Sequence, residues 1–432
     1  MRLLLLLCCL TCALNCASAA LAVEHPNVLF IFTDDQRADA IGALGNPQVK
    51  TPNIDQIARR GFVFQNAYCA GATQGAVCMP SRTMMLSGRS LFHLSRLTAD
   101  SPDFARSMGA AGYETYHHGK SGNSPHKLQA HFAHDKYLKN DDKERVSGQP
   151  GKEITDAAIA FLTKRAAAGG DKPVFMYLAY ANPHDPCVAD QKWLDMYDEA
   201  QIELPANYLP QHPFDNGELQ VRDETLLPWP RTPQALQRHL RSYYAVTTAL
   251  DFQIGRLLKT LDELKLRDDT IIVFSSDHGL AVGSHGLMGK QNLYEHSMKA
   301  PLIFAGPGIP QGKSDALVYL YDIYPTVCNL TGVPLPPGID GRSLVPIILG
   351  KEQGVRDTVF LAYRDVQRAV RRGSWKLIDY PKIGKTQLFN LRVDPAEIKS
   401  LAADPAQAER LKEMTALLVE QQRQNDDPRA AK

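Results

Sequence analysis

Three apolar runs in this sequence stop abruptly at residues that could do chemistry. Asn27 to Thr33 ends in Asp34-Asp35, Val174 to Ala181 ends in Asn182-Pro183-His184, and Thr270 to Ser276 ends in Asp277-His278-Gly279. Carboxylates gathered from separate segments repel one another unless a cation sits among them, and hard oxygen donors point to calcium or magnesium. Asp34, Asp35, Asp277 and His278 are therefore candidate metal ligands. His278 is the weakest of the four, because imidazole is a poorer calcium partner than oxygen; its alternative role is a hydrogen bond to substrate. The imidazole of His184 is suited to proton transfer near neutral pH.

Short continuous apolar runs of this kind read as parallel strands covered on both faces. Between them, Thr51-Pro52 opens a helix as N-cap and first-turn proline, Ile54, Ile57 and Ala58 form its buried side, and Gly61 closes it. A second helix spans roughly Leu236 to Leu264, with Leu240, Tyr243, Val246, Leu250, Ile254, Leu257 and Leu261 at helical spacing. Strands alternating with helices predict an α/β fold: a large, mainly parallel (mixed) sheet flanked by helices, with ligands collecting beyond the carboxyl ends of the strands. Leu302 to Ala305 is a further core strand. The stretch Pro334 to Gly341, rich in proline and glycine, precedes a change of texture. Short strand-like pieces follow at Ala369 to Arg371, Trp375 to Ile378 and Leu388 to Asn390, then an amphipathic helix carrying Leu411, Met414, Leu417 and Leu418. We expect a catalytic α/β domain over residues 23–350 and a smaller C-terminal α+β subdomain over residues 351–432, frayed from Gln421 onward. Residues Asn182 to Pro233 are long, proline-rich and weakly periodic, which suits a loop that shapes a substrate mouth.

The amino terminus holds Arg2, the apolar run Leu3 to Leu10 and the small residues Ala17-Ser18-Ala19 and Ala20-Leu21-Ala22, the pattern of a signal peptide over residues 1–22. That run is shorter than the roughly 20 residues a membrane span needs. The mature protein is expected to be secreted or periplasmic, with no membrane span. Lys and Arg number 48 against 47 Asp and Glu, so no basic excess is there to hold a phosphate backbone, and nucleic acid is not an expected partner. Anions must instead be bound by a few placed cations. Cys69, Cys78, Cys187 and Cys328 remain after export, enough for two disulfides in an oxidising compartment but not in the spacing of a zinc ribbon.

One of these cysteines has distinctive neighbours. Cys78-Met79-Pro80-Ser81-Arg82, followed by Leu86-Ser87-Gly88-Arg89, resembles the signature of the sulfatase family, and the resemblance runs from about Asn27 to the terminal helix. It implies that a formylglycine-generating enzyme oxidises Cys78 to formylglycine, and that this residue also joins the metal site. Pro80 can begin a helix, which places residue 78 beside backbone N–H groups that favour an anion. The resemblance selects calcium, one per subunit, for the two aspartates after the first core strand and the Asp277-His278 pair. Gly119-Lys120 and Gly286-Leu287-Met288-Gly289-Lys290 match segments whose lysines, Lys120 and Lys290, would neutralise sulfate oxygens as charge develops. Arg82 would pair with the metal-site carboxylates or hold the formylglycine hydrate, and His184 matches a histidine near the leaving-group oxygen. A histidine that many members carry shortly after the first lysine is missing. Ser121-Gly122-Asn123 stand there instead, with His117, His118 and His126 as substitutes.

The implied activity is a sulfuric ester hydrolase that releases inorganic sulfate. A sulfated carbohydrate is the first expectation for its substrate; choline sulfate or an aryl sulfate is the second. Two rivals use the same residues: a phosphomonoester or phosphonate hydrolase of the same superfamily, and a non-catalytic protein that binds sulfated glycans. In the long loop, His212, Asp215, Asn216, Arg222 and Asp223 are candidate saccharide contacts.

Overall fold

The computed structural model describes residues 25–120, 127–138 and 141–431; the expected signal peptide and His126 lie outside them. Strand Asn27–Asp34 sits in the middle of the larger sheet, with Val174–Pro183 and Thr270–Ser276 parallel on its two sides. Its side chains alternate, Phe30 and Phe32 into one core, Leu29 and Ile31 into the other. Both faces are covered, which is why the run is apolar throughout. Helices Pro52–Arg60, Lys152–Ala167 and Pro233–Glu263 cover the Leu29 face, through Ile54 and Ile57 from the first, Ile154 from the second, and Leu250, Ile254 and Leu257 from the third. Helices Cys78–Ser87, Phe104–Ala110 and Ile323–Thr331 cover the Phe30 face.

The order is Gly312–Tyr319, Phe62–Tyr68, Leu302–Ala305, Thr270–Ser276, Asn27–Asp34, Val174–Pro183, Glu114–Gly119 and His134–Tyr137, with the short Lys299–Ala300 pairing Phe62–Tyr68 beside this path. Leu302–Ala305 runs antiparallel to both its neighbours, so the sheet is mixed as expected. The carboxyl ends of its three central parallel strands point to one edge, and that edge carries Asp34, Asp35, His184, Asp277 and His278.

Thr51 is the N-cap of the helix Pro52–Arg60, with Pro52 in its first turn, as expected. Its side chain makes no capping bond; its hydroxyl accepts from Gly42 N–H and donates to Asp55. The side-chain cap comes from the long helix instead. Asp251 accepts from the backbone N–H of Asn53 at 3.1 Å and of Ile54 at 2.7 Å, and from the Asn53 amide at 2.7 Å. A carboxylate at a helix N-terminus is favoured by the orphan N–H groups there, and this one also locks two helices together. Asp251→Ala is expected to lower unfolding free energy by about 2 kcal/mol in a denaturant titration, since buried donors lose a charged partner.

The second sheet is antiparallel in the order Lys385–Asn390, Trp375–Tyr380, Gln367–Arg372 and Thr358–Tyr363, with helix Ala408–Gln424 packed on it through Met414, Leu417 and Leu418. Gly71–Ala72 adds to Thr358–Tyr363 in parallel, so the segment leading into Cys78 is tied to the C-terminal sheet. A Cβ at Gly71 would collide with the Ala362 carbonyl, which is why the backbone can pass so close only as glycine. The expected fraying from Gln421 is not seen among the described residues, which run to Ala431. The helix runs to Gln424, and buried Asp427 receives Arg368 Nε at 2.6 Å and Nη2 at 2.9 Å. Among the described residues, no helix is long and apolar enough to cross a membrane.

Candidate active site

The site grows out of the ends of the three central strands. Asp34 is the last residue of its strand, and Asp35 turns the chain with a left-handed φ of 63°. That conformation is held from both sides: Asp35 N–H donates to Asp277 Oδ1 at 3.0 Å, and its carbonyl accepts from Tyr243 OH at 2.9 Å. Asp34, Asp35, Asp277 and His278 are all fully buried. Cys78 opens the helix Cys78–Ser87 at this edge, with Pro80 in the first turn, where its missing N–H is not needed. Its Sγ lies 3.4 Å from Asp34 Oδ1, 3.8 Å from Asp35 Oδ1 and 3.3 Å from His278 Nε2. Burial, and then the Asp34 carboxylate, push the Cys78 thiol well above its ordinary range. An unmodified thiol here stays protonated and is a poor nucleophile.

Arg82, Lys120 and Lys290 bring positive charge into the same space. Arg82, fully buried, donates from Nε to Asp277 Oδ2 at 3.0 Å, and its Nη2 stands 3.3 Å from Asp34 Oδ2, so it joins two strand ends. Lys120 bonds Asp34. Lys290 donates to both oxygens of Asp35, at 3.0 and 2.8 Å. Burial would raise the Asp34 carboxyl, but Lys120 and Arg82 hold it well below the usual range. Burial would likewise lower the Lys290 ammonium, yet Asp35 lifts it well above. Both groups are ionised at neutral pH. His184 hydrogen-bonds through Nδ1 to the Asp185 carbonyl at 2.7 Å and turns Nε2 toward Asp35, 3.7 Å away. Burial, then Lys290, push His184 down to about 3, so its ring is neutral before a ligand arrives.

The donor set fits a hard cation. Asp35, Cys78, Asp277 and His278 offer atoms within 4.8 Å of one another, as do Asp34, Asp35, Cys78 and His184. His278 Nδ1 is taken by the Gly279 carbonyl at 2.8 Å, which leaves the Nε2 lone pair facing the cluster. The carboxylates of Asp34, Asp35 and Asp277 are already balanced by Arg82, Lys120 and Lys290. Mutual repulsion is therefore not what calls for a metal. An arriving anion is: with Asp223 also facing Lys290, it meets a site with no net positive charge, and a divalent ion would supply the missing positive field.

Gly119 explains how Lys120 is aimed. Lys120 N–H donates to the Ala179 carbonyl at 2.8 Å, and a Cβ on Gly119 would collide with that oxygen. Gly119→Ala is expected to cost roughly 2–4 kcal/mol of stability and to displace Lys120, so thermal denaturation and turnover should both suffer.

Other expected residues divide. His117 gives Nδ1 to Asp135 at 3.0 Å and packs among the rings of Phe132 and Tyr177, so it is committed elsewhere. His118 is buried in the same strand. Of the proposed saccharide contacts, His212 bonds the His285 carbonyl, Asp215 accepts from Gly217 N–H, and Asn216 accepts from Glu218 N–H, so these three build the loop. Arg222 and Asp223 do reach the site: Arg222 grips Asp185 at 2.6 and 2.9 Å, and Asp223 lies 3.7 Å from Lys290 Nζ. Cys69, Cys187 and Cys328 form no disulfide among the described residues. Sequence reasoning missed Gln291, which bonds Asp223 beside Lys290, and Glu224, which has no motif of its own.

Comparison with known proteins finds sulfatases and, among solved structures of the same fold, a phosphonate hydrolase. The family profile described as Sulfatase matches residues 26–333, and that described as N-sulphoglucosamine sulphohydrolase, C-terminal, matches residues 283–424. A choline-sulfatase from Rhizobium meliloti is 28% identical over 433 residues, covering 88% of this chain and 83% of its own. A solved structure of a protein with its substrate D-glucosamine-2-N,6-O-disulfate aligns with a TM-score of 0.75 at 26% identity, over 94% of this chain and 99% of the other. A phosphonate monoester hydrolase of Agrobacterium radiobacter shares the fold, with a TM-score of 0.76 at 22% identity over 93% and 96% of the two chains.

Proposed function

Because the chain belongs to the sulfatase family, and is thus a sulfuric ester hydrolase, we propose that it releases inorganic sulfate from a sulfated carbohydrate at residue 78. The observation that carries this reading is the position of Cys78 at a helix N-terminus, within 3.8 Å of Asp34, Asp35 and His278 and faced by Lys120 and Lys290. We read residue 78 as formylglycine in the mature protein, made by a formylglycine-generating enzyme. The buried, protonated thiol supports this, since it has little use as a nucleophile, whereas a hydrated aldehyde supplies a hydroxyl. Asp34, Asp35, Asp277, His278 and residue 78 would hold calcium, which supplies positive charge beside the sulfate oxygens. Lys120 and Lys290 neutralise the same oxygens, and Arg82 keeps Asp34 and Asp277 in register. The group that assists hydrate collapse stays unassigned, with His126 outside the described residues. Export through residues 1–22 and a boundary near residue 350 belong to the same reading.

His184 has the role of carrying a proton to the leaving oxygen. Its Nδ1 is held by the Asp185 carbonyl, so Nε2 is the ring nitrogen it turns to the site, and an anionic ligand beside it favours protonation. His184→Asn is expected to slow an alkyl or sugar sulfate about 100-fold or more, because such alcohols leave poorly without a proton, and 4-nitrophenyl sulfate far less. Equal losses on both substrates would remove His184 from proton transfer.

The test of the function is sulfate release from a panel of sulfated mono- and oligosaccharides, with choline sulfate, an aryl sulfate and paired 4-nitrophenyl sulfate and phosphate esters alongside. Preferential hydrolysis of a sulfated sugar supports the proposal. Preference for the phosphate ester would favour the phosphohydrolase rival, whose fold this chain shares, and binding without release would favour a glycan-binding protein.

A further inference from the structure

The loop between Asn182 and Pro233 does more than border the site. Glu224, 3% exposed, accepts from the backbone N–H of Met288 on one oxygen and of Gly289 on the other, both at 2.9 Å. Those are the two residues before Lys290. Arg231, fully buried over the Trp229 ring, donates to Glu224 Oε2 at 2.7 Å and to the Glu224 carbonyl at 2.8 Å, and also bonds the Gly286 carbonyl. On the other side of Lys290, Gln291 accepts the Lys290 backbone N–H at 3.0 Å and donates to Asp223 at 2.9 Å. The turn that carries Lys290 is thus gripped before it by Glu224 and after it, through Gln291, by Asp223. The glycine at 289 fits this close approach, since a Cβ there would stand 2.8 Å from the Asp223 Cβ. A buried Arg–Glu pair is weak evidence for stability, because an apolar pair of similar volume often does as well. What an apolar pair cannot do is accept two backbone N–H groups in fixed positions.

We propose that Glu224, held by Arg231, is a positioning residue for Lys290: it fixes the turn Gly286 to Lys290 so that the ammonium stands over Asp35 and Cys78. This rests on the reading of Lys290 as a sulfate-binding cation. The test is a double-mutant cycle of the full chain with Glu224→Gln, Lys290→Ala and both, read by inorganic sulfate affinity in calorimetry, by kcat/KM on a sulfate ester, and by denaturation midpoint. Glu224→Gln alone should weaken sulfate binding and kcat/KM about 10-fold or more, and in the Lys290→Ala background it should cost less than about 2-fold. Its effect on the midpoint should be the same in both backgrounds. Equal losses of sulfate affinity in the two backgrounds would overturn the proposal, as would a wild type that binds no sulfate. A wild type that binds sulfate with the expected coupling but hydrolyses no sulfate ester would sink the proposed function while leaving this inference standing. If Glu224→Gln fails to fold, Arg231→Lys takes its place in the same cycle.

Discussion

Replacing Cys78 with alanine is expected to leave a folded protein that still binds sulfate esters but turns them over roughly 10⁴- to 10⁶-fold more slowly, the loss seen when a nucleophile is removed. No described neighbour can stand in for it. The Ser81 hydroxyl donates to the Asp277 carbonyl at 2.6 Å, and the Thr83 hydroxyl to the Met79 carbonyl at 2.7 Å. Of the cations proposed to hold the anion, Lys120 and Lys290 are held by Asp34 and Asp35 rather than by residue 78, and calcium, which loses one proposed ligand, is kept in place by assaying at saturating calcium. Binding and turnover should therefore separate, with kcat collapsing and inorganic sulfate affinity nearly kept. A variant within about tenfold of wild-type kcat would take residue 78 out of the chemistry.

Removing divalent metal with a strong chelator is expected to lower activity about 10³-fold, several kcal/mol of lost charge stabilisation, and added calcium should restore it. The reason is the charge balance of the site. Asp34, Asp35 and Asp277 pair with Arg82, Lys120 and Lys290, and Asp223 also faces Lys290, so without a further cation the site has no net positive charge to offer a sulfate ester. Magnesium should restore less, since it demands tighter geometry and dehydrates reluctantly. Chelation should also lower the denaturation midpoint, because an ion that binds only the folded state stabilises it. Activity and midpoint that both ignore chelation would contradict the assigned ligands.

What the sequence disclosed follows from how local each signal is. An apolar run that stops at Asp34 or Asp277 is visible within a short window, and burial on both faces makes such a run unmistakable, so the three central strands and their acids were legible. The outer strands Phe62–Tyr68 and Gly312–Tyr319 were not, because the first is interrupted by exposed Gln65 and the second starts exposed and becomes buried only near its end. The Asp251 cap and the Arg368–Asp427 pair join residues far apart in the chain, and a single contact of that kind leaves no periodicity. The same holds for Glu224. It lies in a proline-rich loop whose texture suggested a substrate mouth, and only the folded structure shows it gripping the turn before Lys290. His212, Asp215 and Asn216 also have local or neighbouring partners that sequence texture does not disclose: His212 bonds the His285 carbonyl, while Asp215 and Asn216 each close a turn within the loop.

The most direct test of the central claim is mass spectrometry of the peptide containing residue 78, made on preparations that differ in specific activity. The predicted result is a peptide lighter than the thiol form, as an aldehyde requires, with sulfate-ester hydrolysis rising in proportion to the aldehyde fraction. A fully active preparation in which residue 78 is entirely thiol would contradict it.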